Sequence, residues 1–208
     1  LFRSLTFDGP GADTLKALSA DAPFATRALM ANSWLFGPML GNTVGKTPVG
    51  AAQLRTTIAP TVLVGSPKEN VLPQTATALI NYRVHPRDSL DSLMARARRD
   101  VKGLPVTLEW LPGARGASPS ATIASPSWTI LSALARETTQ ARTVPGLLTA
   151  ATDGRAMNAL TPNVYRFLPI VLAPEELDMF HGANEHLSLA NVGRMVQFYR
   201  RLLIAAAG

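Results

Sequence analysis

The sequence predicts an α/β protein in two parts. The first is a split β-α-β sandwich of the ferredoxin-like kind, and the second is a layer in which strands alternate with helices. Three observations predict this. Residues 75–84 alternate, with Ala76, Ala78, Ile80 and Tyr82 against Thr75, Thr77, Asn81 and Arg83, the period of a half-buried strand. Strand-like stretches at 56–64 and 106–110 flank that pattern and a helix that Ser89 caps and that runs to about Val101. Beyond a Pro/Gly/Ser-rich stretch at 111–120, short apolar runs at 146–151 and 164–171 are interleaved with helical periodicity.

Each element has a local reason. Residues 11–18 read as a short helix with Asp13 near its start. Residues 24–40 carry Phe24, Leu29, Trp34, Leu35 and Phe36 and read as a second helix, interrupted near Gly37-Pro38. The Gly/Thr/Pro-rich stretch 41–50 reads as a loop. Pro60 marks the strand 56–64 as an edge or a bulge, and Ser66-Pro67-Lys68-Glu69-Asn70 is a turn. The order strand, strand, helix, strand closes the first part at about Gly116.

In the second part, Ser125-Pro126 starts a helix whose apolar stripe is Ile130, Leu131, Leu134 and Ala135. Pro174-Glu175-Glu176-Leu177 reads as the first turn of a short helix. Residues 187–203 form a long amphipathic helix with Val192, Met195, Val196, Tyr199 and Leu203 on one face. Two strands and two long helices are too few to close a core, so the sheet is expected to continue in sequence outside this chain. No internal repeat and no Gly-rich phosphate loop is present.

Composition bounds the class. The 208 residues allow one large domain or two small ones, and 47% hydrophobic content supports a packed core. No apolar run approaches bilayer length, so no membrane segment is expected. The absence of Cys excludes disulfides, thiolate metal sites and a Cys nucleophile. The formal charge of +6 comes mainly from Arg scattered along the chain. No basic stripe interleaved with aromatics accompanies it, so nucleic acid is not expected as a partner. The opening Leu1-Phe2-Arg3, without an initiating Met, reads as the start of an excerpt or a processed product.

Three histidines are present. His85 stands before Pro86 at a strand end and reads as a polar loop residue. His181 falls in Phe180-His181-Gly182-Ala183-Asn184-Glu185, a loop between the short helix and the long one. A histidine on such a loop is placed to ligate a metal or to catalyse.

The string Asn70-Val71-Leu72-Pro73-Gln74-Thr75-Ala76-Thr77-Ala78, leading to Asn81-Tyr82-Arg83-Val84-His85-Pro86, resembles the lid of the di-zinc exopeptidases. That family includes aminoacylase, succinyl-diaminopimelate desuccinylase and carboxypeptidase S. Ala151-Thr152-Asp153-Gly154-Arg155 and His181-Gly182-Ala183-Asn184-Glu185 resemble two later motifs in the right order. Trp34-Leu35-Phe36-Gly37-Pro38 and Arg55-Thr56-Thr57-Ile58-Ala59-Pro60-Thr61 point to the carboxypeptidase S (Gly-X carboxypeptidase) branch, which also contains a secreted enzyme that makes and hydrolyses N-acyl amino acids.

The resemblance implies a domain plan. Residues 1–116 would be a lid and dimerisation domain, incomplete at its N-terminus and carrying a helical insertion at 11–40. Residues 117–208 would be the C-terminal part of an α/β catalytic domain. It implies two zinc ions in the complete enzyme, with His181 a ligand and Asn184 and Glu185 hydrogen-bonding around it. Glu185 reads equally well as a helix N-terminal carboxylate.

Asn70 and Arg83 match lid residues that contact substrate, and Arg155, with Thr152 beside it, matches a second carboxylate-binding position. An amide suits a scissile carbonyl, and a guanidinium suits a carboxylate. The implied substrate is a small peptide or an N-acyl amino acid with a free carboxylate, and the implied partner is a second copy through the lid. His186 stands where the branch more often has Arg, so no role is expected of it.

The family's first His-x-Asp segment, its bridging Asp, its Glu-Glu pair and the lid His lent by the dimer partner have no counterpart here. The chain is therefore expected to be a C-terminal fragment, without catalytic groups of its own and inactive in isolation. Two other readings compete: a dimerisation or binding module that lost the chemistry, and a basic ferredoxin-like domain that binds nucleic acid. A steep salt dependence of oligonucleotide binding would favour the last.

Overall fold

The computed structural model describes residues 5–180 and 182–207. The chain divides into two compact units, Leu1–Pro119 with Gly146–Ala151, and Ser120–Pro145 with Thr152–Gly208.

The first unit opens with four helices, α1 (Gly9–Leu18), α2 (Phe24–Ala31), α3 (Ser33–Val44) and α4 (Pro48–Leu54). They enclose Phe7, Ala12, Leu40 and Leu54, with Leu15, Leu29, Met30, Phe36 and Val44 packed around them. Gly11 permits the closest approach: a Cβ there would lie 2.0 Å from the Gln53 carbonyl oxygen on α4.

The helix expected over 24–40 breaks at Asn32, not at Gly37-Pro38. The Asn32 side-chain amide donates to the Ala28 carbonyl at 2.8 Å, closing α2 by local competition with the backbone ladder. Pro38 lies inside α3. That helix continues past it because Leu40 and Gly41 are buried further along. The loop expected at 41–50 is also corrected. Thr47 caps α4, accepting the Gly50 N–H at 3.1 Å, and Pro48 occupies its first turn.

Strands β1 (Thr57–Val64) and β2 (Thr77–Arg83) pair antiparallel, with Thr57 opposite Arg83 and Val64 opposite Thr77. The register slips between Pro60 and Val62, so Thr61 is the extra residue of a bulge, as Pro60 led one to expect. The Thr61 hydroxyl donates to the Leu79 carbonyl at 3.3 Å.

Among the described residues the sheet has these two strands alone. Residues 106–110, expected to close it, form no strand. The preceding Pro105 has no N–H to give a ladder, and the Val106 N–H bonds locally to the Leu104 carbonyl at 2.9 Å. Trp110 still meets Tyr82 edge to face, with ring centroids 5.9 Å apart. Helix α5 (Leu90–Asp100) starts on a capping box, with Ser89 and Ser92 satisfying each other's backbone N–H. Burial and the nearby Asp100 carboxylate raise the Tyr82 hydroxyl above its ordinary value.

A polar clasp joins these pieces. His85 stands in the connection between β2 and α5, as the sequence implied, but it is buried, 2% exposed. Its Nδ1 accepts from the Arg87 backbone and Nε N–H groups, both at 3.3 Å. The proton must then sit on Nε2, which donates to the Gln53 carbonyl at 3.2 Å. Arg87 also donates to Thr6, Asp8 and the Leu54 carbonyl. Buried Thr56 accepts the His85 N–H at 2.9 Å and donates to Asp88 at 2.5 Å.

The second unit packs α6 (Pro126–Thr139) against α8 (Leu189–Ala207) through Leu134, Ala135 and Phe198, with Ile130, Leu131, Phe167 and Leu202 around them. Ser125 caps α6 by accepting the Trp128 N–H at 3.1 Å, and its hydroxyl meets Tyr165 at 2.5 Å. Tyr165 in turn donates to the Thr122 carbonyl at 2.6 Å. Residues 164–171, expected as a strand, form no ladder. A side chain takes the place of a neighbouring strand there. The buried Asn191 amide accepts the Val171 N–H at 2.9 Å and donates to the Val171 carbonyl at 3.0 Å. The apolar stretch Gly146–Ala151, expected as a strand of the second part, forms none and groups with the first unit. Gln53 donates to the Leu147 carbonyl at 3.1 Å. The structure is thus a mixed helical fold with a small sheet.

The clasp makes a pH-dependent prediction. Burial, and then the Arg87 charge, lower the His85 pKa from the ordinary value of 6.5. Asp88 and Asp8 oppose this more weakly. The unfolded chain therefore binds a proton that the folded chain refuses. Stability is fully present above about pH 6.5 and is lost as pH falls from there through the folded-state pKa. Urea titrations should show this loss in the wild type and not in His85→Gln. His85→Ala should cost about 1–3 kcal/mol at neutral pH, because Arg87 and the Gln53 carbonyl lose their partner.

Candidate substrate site

The Thr152–Arg155 segment of the second unit is a tight turn leading into the one-turn helix α7 (Gly154–Met157). The Arg155 N–H donates to the Thr152 carbonyl at 3.1 Å, and the Ala156 N–H to the Asp153 carbonyl at 2.9 Å. Arg166 braces this turn from the neighbouring segment. Its Nε donates to the Thr152 hydroxyl at 3.2 Å and its Nη2 to Asn158 Oδ1 at 3.3 Å. Thr152 and Arg155 are therefore brought together, and Arg166, which sequence reasoning missed, joins them. The signal was present as a lone Arg in the apolar run 164–171.

In the first unit, Asn70 is an exposed turn residue in the β1–β2 connection. That connection is folded on Ser66, whose hydroxyl meets the Lys68 carbonyl at 2.5 Å and also the Val71 carbonyl. Arg83 is exposed and ends β2 opposite Thr57. β2 is seven residues long, and the connection leaves the ladder at the end opposite Arg83. About 20 Å of strand separates the two ends.

His181 lies outside the described residues. Before it, the 3-10 turn Pro174–Met179 is closed by Glu176, whose carboxylate accepts the Ala173 N–H at 2.6 Å. After it, the Gly182 N–H donates to the Met179 carbonyl at 2.9 Å. Asn184 is left-handed, with φ 62°, a conformation Asn tolerates far better than most residues. Its carbonyl accepts from His186 Nδ1 at 2.7 Å. Glu185 is exposed. Helix α8 starts at Leu189, two residues later than expected. Ser188 caps it and accepts the Asn191 N–H at 3.2 Å, so Glu185 lies outside the first helical turn.

Among the described residues, no three His, Asp or Glu side chains gather where they could hold a metal ion. These residues alone do not fit a metal centre. No helix among them is long and apolar enough to cross a membrane.

Comparison with known proteins bears on this arrangement. A family model described as peptidase family M20/M25/M40 matches residues 10–205. The chain belongs to this family. The M20/M25/M40 match takes in the lid-like motif, the Thr152–Arg155 turn and the segment around Asn184 alike.

The chain is 34% identical to the N-fatty-acyl-amino acid synthase/hydrolase PM20D1 of Xenopus tropicalis, over 94% of this chain and 38% of that protein. It is 33% identical to the "Probable carboxypeptidase S-like 2" of Dictyostelium discoideum, over 85% of this chain and 34% of the relative. The human N-fatty-acyl-amino acid synthase/hydrolase PM20D1 is 29% identical over 91% of this chain and 38% of its own length. The chain thus spans little more than a third of the curated relatives it matches. No solved structure matches it.

The left-handed residue at 184 separates two uses of that asparagine. Asn184→Gly should leave stability within about 0.5 kcal/mol, while Asn184→Val should cost about 1–2 kcal/mol through backbone strain alone. Thermal melts of both variants check this. Equal losses would mean that the amide, not the turn, matters for stability there.

Proposed function

We propose that this chain is part of a zinc-dependent metallopeptidase or amidohydrolase of the carboxypeptidase S kind. It hydrolyses the amide bond of peptides or N-acyl amino acids that carry a free carboxylate. The observation that carries the reading is the family match over residues 10–205, which takes in every arginine-bearing motif singled out above. Two relatives named for N-fatty-acyl amino acids and one named for carboxypeptidase S point to the same substrate chemistry, an acyl group amide-linked to an amino acid.

In this reading residues 1–116 are the lid and 117–208 belong to the catalytic domain. Arg83 and Arg155 are each carboxylate-binding residues. A guanidinium offers two parallel N–H groups to a carboxylate, and an arginine at such a position discriminates a free acid from an amide. Asn70 directs its amide to the scissile carbonyl, and Thr152 supports Arg155. His181 is one zinc ligand, with Asn184 and Glu185 beside it. The remaining ligands of a two-zinc centre come from elsewhere in the whole protein. Zinc, when bound, supplies Lewis acidity toward the scissile carbonyl.

A homodimer through the lid accommodates the separation of Asn70 from Arg83, since the two residues can then serve sites of different copies. The exposed apolar edge strand β1, with Leu63 79% and Val64 59% exposed, supports such pairing.

A second reading, a dimerisation or binding module without chemistry, draws on the same edge and on the lack of a three-ligand group among the described residues. Variants in the whole protein separate the two. Arg83→Ala or Arg155→Ala should lower kcat/KM for free-acid substrates by about one to two decades, the worth of a lost charge-assisted pair of roughly 1.5–3 kcal/mol. Amide-blocked analogues should be affected far less. His181→Ala should abolish turnover and reduce bound zinc. An unchanged acid-to-amide ratio in the arginine variants would remove the carboxylate clamp. Full zinc and activity in His181→Ala would remove the metal assignment.

A further inference from the structure

We propose that Arg166 is itself an anion-binding residue, forming with Thr152 and Arg155 a cradle for a carboxylate on a small amide-bearing molecule. This rests on the reading of Thr152 and Arg155 as substrate-binding positions and adds to it a residue that no motif pointed to.

Arg166 is half-buried, and both groups it bonds are neutral: the Thr152 hydroxyl at 3.2 Å and the Asn158 amide oxygen at 3.3 Å. Among the described residues no carboxylate pairs with Arg166. A guanidinium drawn out of water without a counterion costs free energy, which a bound anion offsets. Asp153, on the same turn, is exposed and forms no ion pair with Arg166.

Hydrogen bonding points the same way. Nε and Nη2 each spend one N–H on the turn, and Nη1 meets no acceptor among the described residues. The Thr152 oxygen accepts from Arg166, so its own O–H remains to donate. Arg155 sits one backbone hydrogen bond along the same turn. Arg155 and a donating hydroxyl on the turn, with the Arg166 guanidinium braced against it from residues 164–171, match the two oxygens of a carboxylate. The bonds to Thr152 and Asn158 also fix the guanidinium before any ligand arrives, which lowers the ordering cost of binding.

The test is a titration of the chain with N-acetylglycine and, separately, with N-acetylglycinamide. It is followed by the side-chain Nε–H resonances of Arg155 and Arg166. The acid should move both resonances and the amide neither. Arg166→Gln should weaken the acid's Kd on the order of tenfold, the loss of one charge-assisted pair. Thr152→Val, which keeps both arginines, should weaken it by about half that logarithmic step. If Arg166→Gln fails to fold, the Thr152→Val result and the Arg166 resonance still decide. A response at Arg155 without one at Arg166, or a lowered Tm with unchanged Kd in Arg166→Gln, overturns this inference and leaves the wider reading standing. Silence at both arginines, or equal responses to acid and amide, overturns both.

Discussion

Arg87 ties three stretches of chain to one another. Its guanidinium reaches Thr6 and Asp8 before α1, the Leu54 carbonyl at the end of α4, and His85 at the end of β2. The constraint behind this is general. Where loops meet inside a protein, every buried N–H and carbonyl needs a partner, and a sheet of two strands cannot supply many. The first unit solves the problem with one arginine, one neutral histidine and Thr56. A guanidinium carries five donors in a fixed fork, so replacing Arg87 by Lys would leave acceptors stranded. The second unit solves the same problem with Asn191, whose amide mimics a neighbouring strand for Val171.

These devices mark the limit of what sequence patterning reveals. Helices with side-chain caps and clear apolar faces were legible. The Ser89 cap of α5 and the Ser125-Pro126 start of α6 stand close to where their residues imply, but α8 packs through Phe198 and Leu202 and buries Asn191, while Val192, Val196, Tyr199 and Leu203, expected together on its apolar face, are exposed. The bulge near Pro60 was legible as well, because proline cannot sustain a ladder. What could not be read was long-range polar satisfaction. The burial of loop residue His85 was not legible because its partners, Gln53 and Arg87, are recognised only once α4 meets the turn before α5. Within the predicted helix 187–203, the bonds of Asn191 to Val171 were hidden for the same reason. Strand-like stretches failed as strands where a pairing partner was lacking, as at 164–171, or where proline and local bonds consumed the N–H groups, as at 105–106.

The candidate site follows the same division. Thr152 and Arg155 were singled out in the sequence by the family resemblance of their motif. Arg166 was not, because its meaning lies in the side chains it bonds across the fold. Asn184 acquires a second use from its left-handed backbone, which orders the segment leading to α8 whatever its amide does. Asn70 and Arg83 bracket opposite ends of one hairpin. Any function that uses both must bring them to a ligand from two directions, or from two copies.

The proposed function makes one chemical claim: this chain contributes groups that bind substrate, and a complete metal centre needs ligands beyond His181. The most direct measurement is metal analysis of the purified 208-residue chain after incubation with zinc and desalting, paired with an assay for hydrolysis of an N-acyl amino acid. The claim predicts zinc well below one ion per chain and no chelator-sensitive turnover. One or two tightly retained zinc ions per chain, with turnover that a chelator abolishes, would contradict it.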